Sequence, residues 1–309
     1  MINTVSEINR RLSSDGEKFI LECDREYRSK IASVARYISH NERIKIITIA
    51  GPSGAGKTTT ANILCSMLNG WGIKTTVISL DNFYYSRDIV DIGKVDPESV
   101  EALDVGLLHD CIEEVLNFGS ADLPVYDFGT GLSIKNAQKI DLTDGGILIL
   151  EGIHGLNPVI TSALPAENLL KVYISAFLSF EDDNGERLLT GRKLRLVRRS
   201  LRDRRFRNSD IFRTLEFWRG VVEAENKFLY DFVELADFHI PTMHSFEPAI
   251  YREEFIQMVK DIKEDHPFYH YVEQICRGLE KFQPFEAGLV PENSLIREFI
   301  GADRLADGT

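Results

Sequence analysis

Short apolar runs alternate along this chain with stretches whose apolar residues recur at helical spacing. The run over residues 44–50 is rich in β-branched residues and apolar enough for a buried strand. Similar runs follow at residues 75–80, at 147–150 behind the pair Gly145-Gly146, at 169–175, and briefly at 237–241. Between the first two runs, residues 59–68 carry helix-spaced apolar positions, and Gly70 and Gly72 mark that helix's end. Helical periodicity returns over residues 100–118. Ahead of the first strand, Phe19, Ile20, Tyr27, Ile31, Val34 and Ile38 predict one or two charged amphipathic helices. Beyond Ser245 the pattern is helical, punctuated by Pro248, Pro267, Pro284 and Pro291. Strands alternating with helices predict an α/β fold with a doubly wound parallel sheet. The expected divisions are a helical leader at 1–41, a core at 42–245 and a C-terminal helical extension at 246–309. Residues 96–104 read as the acidic first turn of a helix, and residues 124–131 as an exposed aromatic loop. No internal repeat or low-complexity segment is visible.

The 309 residues suffice for one large domain with an appendage, and 43% apolar with 27% charged residues is ordinary for a globular protein. Cys23, Cys65, Cys111 and Cys276 are scattered without metal-ligand spacing, so disulfides are not expected and a reducing cytosol suits the chain. The first residues lack a signal-peptide core, and no apolar run is long enough to span a bilayer. A net charge of −12 argues against general nucleic-acid affinity. One segment breaks that pattern. Residues 192–207 hold eight arginines and one lysine against one aspartate, which leaves +8 locally and −20 over the remaining chain.

The strongest chemical signal joins the first strand to the helix after it. Gly51-Pro52-Ser53-Gly54-Ala55-Gly56-Lys57-Thr58, followed by Thr59, has the form G-x-x-x-x-G-K-T between a strand and a helix, which is the context of a phosphate-binding P-loop. The glycines let backbone N–H groups converge on phosphate oxygens, and the helix N-terminus adds the positive end of its dipole. Lys57 is expected to reach the β/γ-phosphates and Thr58 to ligate Mg²⁺, so the chain is expected to bind a nucleoside triphosphate.

Further residues fall where such a nucleotide would be worked on. Ligands of open parallel sheets lie outside the carboxyl ends of the strands, which directs Asp81, at the end of the second strand, toward the phosphates. A carboxylate there can accept a proton from an attacking hydroxyl, although an aspartate at this point also suits a helix N-cap. Glu151 ends the third strand in the manner of a Walker-B acid that holds Mg²⁺, with Glu in place of the commoner Asp. In the basic segment, Arg195, Arg199 and Arg202 share a helix face, and Leu194, Val197 and Leu201 form an apolar one. Guanidinium groups bind phosphate bidentately, so the segment, at about 182–212, reads as a lid in which Arg195, Arg198, Arg199 and Arg202 close on the polyphosphate. A solvated basic helix is the alternative. Tyr126 or Phe128 could stack a flat base while carboxylates take ribose hydroxyls, or each could simply pack in the core.

With these pieces assembled, the chain resembles the uridine kinase and phosphoribulokinase family of P-loop kinases, most closely its bacterial uridine or nucleoside kinase branch. The resemblance rests on residues 50–59, Ser79-Leu80-Asp81-Asn82-Phe83-Tyr84, residues 98–104, Leu123-Pro124-Val125-Tyr126-Asp127-Phe128 and Leu150-Glu151-Gly152-Ile153-His154-Gly155. It continues through residues 195–207, 214–218, 236–245 and 290–301. It implies ATP-dependent phosphorylation of a nucleoside 5′-hydroxyl, with uridine or cytidine first in rank. On that resemblance Asp81 is the catalytic carboxylate, Thr58 and Glu151 hold Mg²⁺, and Tyr84, Glu98 and Tyr126 line the nucleoside site. Animal-type members carry a pyrimidine-reading histidine where Gly131 stands, so base specificity does not carry over. Longer members of the branch bear tRNA-synthetase-like modules ahead of the core, and here only the helical leader is expected. Related kinases are often oligomeric, although no stretch declares a subunit contact. Two other readings stay open: a kinase for a sugar or sugar phosphate, with Lys94 and Lys135 as extra cations, and an ATP-binding or RNA-associated protein that docks through residues 192–207. A GTPase is disfavoured, because Asn226-Lys227-Phe228-Leu229 lacks the aspartate of a guanine-reading motif.

Overall fold

The computed structural model describes residues 3–88, 98–143 and 145–301. The chain opens with helix α1 (Val5–Ser39), bent at Asp15, where the backbone leaves the helical region. It continues through strand β1 (Ile46–Ala50), helix α2 (Lys57–Gly70) and strand β2 (Thr75–Ser79). Helix α3 (Val105–Phe118) leads into a hairpin of β3 (Ser120–Asp127) and β4 (Leu132–Asp141), and then β5 (Ile147–Glu151). A short α4 (Pro158–Thr161) precedes β6 (Leu169–Ser175) and a small hairpin of β7 (Phe180–Glu181) and β8 (Arg187–Leu189). The arginine-rich helix α5 (Gly191–Phe206), α6 (Ile211–Phe228) and β9 (Phe238–Pro241) follow, and α7 (Glu247–Val259), α8 (Tyr269–Leu279) and α9 (Arg297–Ile300) complete the chain.

Strands β2-β5-β1-β6-β9 form one sheet in that order, every neighbour parallel. Alternation along each strand gives the sheet two buried faces. Ile47, Ile49, Ile147 and Ile149 face α1 and α2, where Ile31, Leu64 and Leu68 meet them. Ile46, Leu148 and Leu150 face the other way, toward Leu108, Ile112 and Val115 of α3. Helices thus cover both sides, and the sheet is doubly wound. The first of these cores runs on without a break from Ile8 and Ile20 of α1 to Leu194, Val197 and Leu201 of α5 and to Phe255, Leu295 and Phe299 near the C-terminus.

Two local readings need correction. Residues 124–131 are not a loop: β3 and β4 pair antiparallel over Ser120–Asp127, and only the turn at 128–131 is irregular. Pro124 falls at a register shift between Leu123 and Val125, where a residue without an N–H interrupts the ladder least. Most of β4 is exposed, so it shows no apolar alternation to betray it. The helix expected from residue 96 begins only at Val105, with Asp104 as its N-cap, accepting from the Leu107 N–H at 3.0 Å. Residues 100–102 form a single 3₁₀ turn before it, and Asp96 and Pro97 lie outside the described residues.

Candidate active site

The P-loop leaves the middle strand of the sheet and caps α2 through Gly56, which adopts φ 83°. Gly54 adopts φ 71°, so both positions favour glycine strongly. Close packing adds a second constraint at Gly56, since a Cβ there would lie 2.4 Å from Leu295 Cδ1. The C-terminal segment therefore leans directly on the loop, and Glu298 Oε2 accepts from the Thr59 hydroxyl at 2.5 Å.

Parallel register brings three strand ends together at the carboxyl edge. Glu151 pairs with Ile49 of β1 and with Ser79 of β2, so the loop, Glu151 and Asp81 share one rim. Thr58 Oγ1 donates to Glu151 Oε1 at 3.2 Å, and Lys57 Nζ donates to Pro52 O at 3.3 Å. Burial pushes the Glu151 carboxyl up, while Lys57 pulls it down and the charge of Asp81 pushes it up again. Asp81 feels the same contest: burial raises it, Lys57 opposes, Glu98 adds to the rise, and Arg207 and Arg202 oppose. Lys57, Thr58, Asp81 and Glu151 thus form one electrostatic unit. Its carboxylate and hydroxyl oxygens are hard donors of the kind Mg²⁺ takes, with phosphate and water completing such a shell. Among the described residues no cluster of three or more His, Cys, Asp and Glu offers an all-protein metal cage.

The arginines of α5 divide into two groups, and the reading of Arg195 and Arg198 as nucleotide ligands is corrected. Arg195 is 1% exposed and makes a bidentate pair with Glu225 at 2.7 and 2.8 Å, and it donates to Ser53 O at 2.9 Å. Arg198 is wholly buried, paired with Glu247 at 2.6 and 2.7 Å, and it donates to Gly54 O at 3.1 Å. Both reach the loop's backbone carbonyls, because the apolar face of α5 is sunk in the core and draws them inward with it. The same packing means that α5 is an integral core helix rather than a detached flap. Arg199 and Arg202 sit on the wetter side. Arg199 Nη1 donates to the Ser53 hydroxyl at 2.7 Å, and Arg199, Arg202 and Arg207 gather on the single carboxylate of Asp203 at 3.3, 2.9 and 3.6 Å. Three guanidinium groups on one carboxylate leave unbalanced positive charge beside the loop and Asp81.

On the acceptor side, Tyr84, Tyr126 and Phe128 form a ring cluster, with centroids 5.6 Å apart for Tyr84–Tyr126 and 5.0 Å for Tyr126–Phe128. Tyr126 is 9% exposed and Phe128 58%, so the cluster runs from the core to an open edge. Glu98 is held at its backbone, where buried His154 Nε2 lies 2.9 Å from Glu98 O. Lys135 is exposed on β4, and Lys94 lies outside the described residues.

Sequence reasoning missed several residues here. Arg207 interacts with Asp81, yet in sequence it is one arginine among eight. Asp203, the one acid in that run, was the signal that could have marked the gathering point. Glu225 and Glu247 gave none, because nothing local links them to arginines 30 and 49 residues away. Arg87 crosses the turn at Gly131, where an added Cβ would meet its Cδ at 2.5 Å.

The profile of the Phosphoribulokinase / Uridine kinase family matches residues 46–181. A uridine kinase of Mycoplasma genitalium is 29% identical over 239 residues, covering 76% of this chain and 99% of the relative. A uridine kinase of Lactobacillus johnsonii is 27% identical over 206 residues, covering 65% and 88%. Among solved structures, that of a candidate fructose transport system kinase from Silicibacter sp. TM1040 aligns with a TM-score of 0.50 at 15% identity, covering 68% of this chain and 98% of the other, a likeness of fold alone. Residues 46–181, which hold the loop and both rim carboxylates, match the phosphoribulokinase/uridine kinase family, and over that stretch the chain is similar to these kinases.

Proposed function

We propose that this chain is an ATP-dependent kinase acting on the 5′-hydroxyl of a nucleoside, with uridine and cytidine as the foremost acceptors. The observation that supports this most is the shared rim of Lys57, Thr58, Glu151 and Asp81, which sets a carboxylate against a phosphate-binding lysine. Asp81 takes the hydroxyl proton as the acceptor oxygen attacks the γ-phosphorus. The new O–P bond forms as the bond from that phosphorus to the β,γ-bridging oxygen breaks, and ADP leaves. Lys57, Arg199 and Arg202 stabilise the charge on the transferring group, and Gly51–Thr59 cradles the phosphates. Thr58 and Glu151 would hold Mg²⁺, which would supply charge neutralisation for the polyphosphate. Tyr84, Tyr126 and Phe128 offer stacking faces for a base, and Glu98 a carboxylate for ribose. The uridine kinase relatives, one of them matched over nearly its whole length, support the same reading.

A coupled assay with ATP, Mg²⁺ and a panel of ribonucleosides, sugars and sugar phosphates tests it. Turnover of a pyrimidine ribonucleoside is the expected result, and no turnover of any ribonucleoside would sink it. A phosphorylated sugar is the second reading, favoured by one observation: Arg87 places a cation across Gly131, beside the aromatic cluster.

A further inference from the structure

Five successive carbonyl groups of the phosphate-binding loop each accept a hydrogen bond. Pro52 O takes one from Lys57 Nζ at 3.3 Å, Ser53 O from Arg195 Nη1 at 2.9 Å and Gly54 O from Arg198 Nη1 at 3.1 Å. Ala55 O takes one from Thr242 Oγ1 at 2.6 Å, and Gly56 O from Thr60 Oγ1 at 2.7 Å. Lys57 and Thr60 belong to the motif's own helix. The middle three donors come from elsewhere in the fold, from α5 and from the turn after β9. All three are at most 1% exposed.

Each of the three is also fixed from behind. Glu225 holds Arg195 through both oxygens and accepts from the Ser53 N–H at 2.8 Å. Glu247 holds Arg198 bidentately, and Arg198 Nη2 also donates to Thr242 O at 3.0 Å, which ties the two donors together. Two buried ion pairs are an expensive way to fill a core, because desolvation consumes most of their attraction and hydrocarbon of the same volume would serve stability as well. What hydrocarbon cannot supply is an N–H aimed at a carbonyl. Because a trans peptide unit is planar, its C=O and the following N–H point in opposite directions. Pinning the carbonyls of Ser53, Gly54 and Ala55 therefore directs the N–H groups of Gly54, Ala55 and Gly56 away from the three donors; the Ala55 N–H donates within the loop to Pro52 O at 3.2 Å, so those of Gly54 and Gly56 are the ones turned toward an anion.

We propose that Arg195, Arg198 and Thr242 are positioning residues, a brace that holds three consecutive loop carbonyls so that the N–H groups of Gly54 and Gly56 are preset for phosphate before nucleotide arrives. The division within α5 follows: Arg195 and Arg198 set the loop's shape, while the partly exposed Arg199, Arg202 and Arg207 carry charge toward the anion. This rests on the reading of the loop as a nucleotide site.

Thr242→Val tests it most cleanly, because it swaps a hydroxyl for a methyl of nearly the same shape. ADP affinity by calorimetry at fixed Mg²⁺ is expected to weaken about five- to tenfold, the worth of one orienting hydrogen bond. Thr242→Ser, which keeps the hydroxyl, is expected to stay within about twofold of wild type. A Thr242→Val protein that melts lower yet binds ADP like wild type overturns the proposal. Should that variant not fold, nitrogen-15 relaxation on the nucleotide-free wild-type chain decides: backbone order parameters near about 0.85 at residues 53–56 are expected, and values below about 0.6 overturn it. Wild-type protein that binds no ADP would instead refute the nucleotide reading, while the relaxation measurement would still judge the brace.

Discussion

Asp81 is held between a burial that disfavours its charge and a lysine that favours it. For the role of base proposed above, a carboxylate raised above its ordinary range accepts a proton more readily, and Lys57 opposes the loss of its charge. Replacing it with the isosteric amide should leave ADP affinity within about threefold and lower kcat by about 10²–10⁴, the usual span of a general base. Steady-state kinetics beside calorimetry separate the two effects, and a near-normal kcat would remove Asp81 from the role proposed for it. Gly56 makes a different single-residue argument. Alanine there would hold a left-handed backbone conformation at a cost of about 1–2 kcal/mol and would drive a methyl against Leu295. Gly56→Ala is expected to lower both the melting temperature and ADP affinity, whereas Gly70→Ala, where an added Cβ meets nothing within 4 Å, should do neither.

Among the elements, α5 was legible as an amphipathic helix, and its apolar stripe is as buried as the spacing of Leu194, Val197 and Leu201 implies. Leu201→Ala, which empties a fully buried site, should cost about 2–5 kcal/mol in urea unfolding. Its arginines were not so legible, because a run of guanidinium groups does not say which meet a buried acid and which meet water. The Arg198–Glu247 pair also sets a pH dependence. Burial alone would raise the Glu247 carboxyl, but Arg198, with His244 adding to it, holds it down at about 2 against an ordinary 4.5. A depressed acid contributes stability that is present above its unfolded value and lost as pH falls through its folded one, so this pair weakens between about pH 4.5 and about pH 2. Asp81 and Glu151 are raised and act with the opposite sign, favouring the folded state slightly as they protonate. Urea midpoints should therefore fall across that acid window in wild type. Glu247→Gln should be less stable at neutral pH and show a flatter acid limb; an unchanged slope would mean the pair does not govern it. The β3–β4 hairpin was hidden for a plainer reason, since an exposed strand carries no alternation and Pro124 reads as a loop residue.

For the whole molecule, the C-terminal segment is the most telling feature. Leu295, Ile296 and Phe299 are fully buried and Ile300 nearly so, and each such side chain is worth about 1.5–3 kcal/mol as an upper estimate. Four of them approach the entire stability of a typical domain, about 5–15 kcal/mol. A chain ending at Leu289 is thus expected to lose cooperative unfolding by circular dichroism, and a sharp transition near the wild-type temperature would show the segment to be dispensable. The helical leader is bound in similarly, through the Tyr27 hydroxyl 2.7 Å from Thr60 Oγ1 on the P-loop helix. By itself the sequence determined the α/β class, the five strands of the parallel sheet, the glycine-rich loop between β1 and α2, and the placing of Asp81 and Glu151 at strand ends. Those follow from local periodicity and from a motif whose chemistry is contiguous. Tertiary structure alone decided which arginines turn inward to Glu225 and Glu247, that the charge of Arg207 reaches Asp81, and that Leu295 packs on Gly56. Such pairings link residues tens to hundreds of positions apart, and only the packed core determines which of them meet.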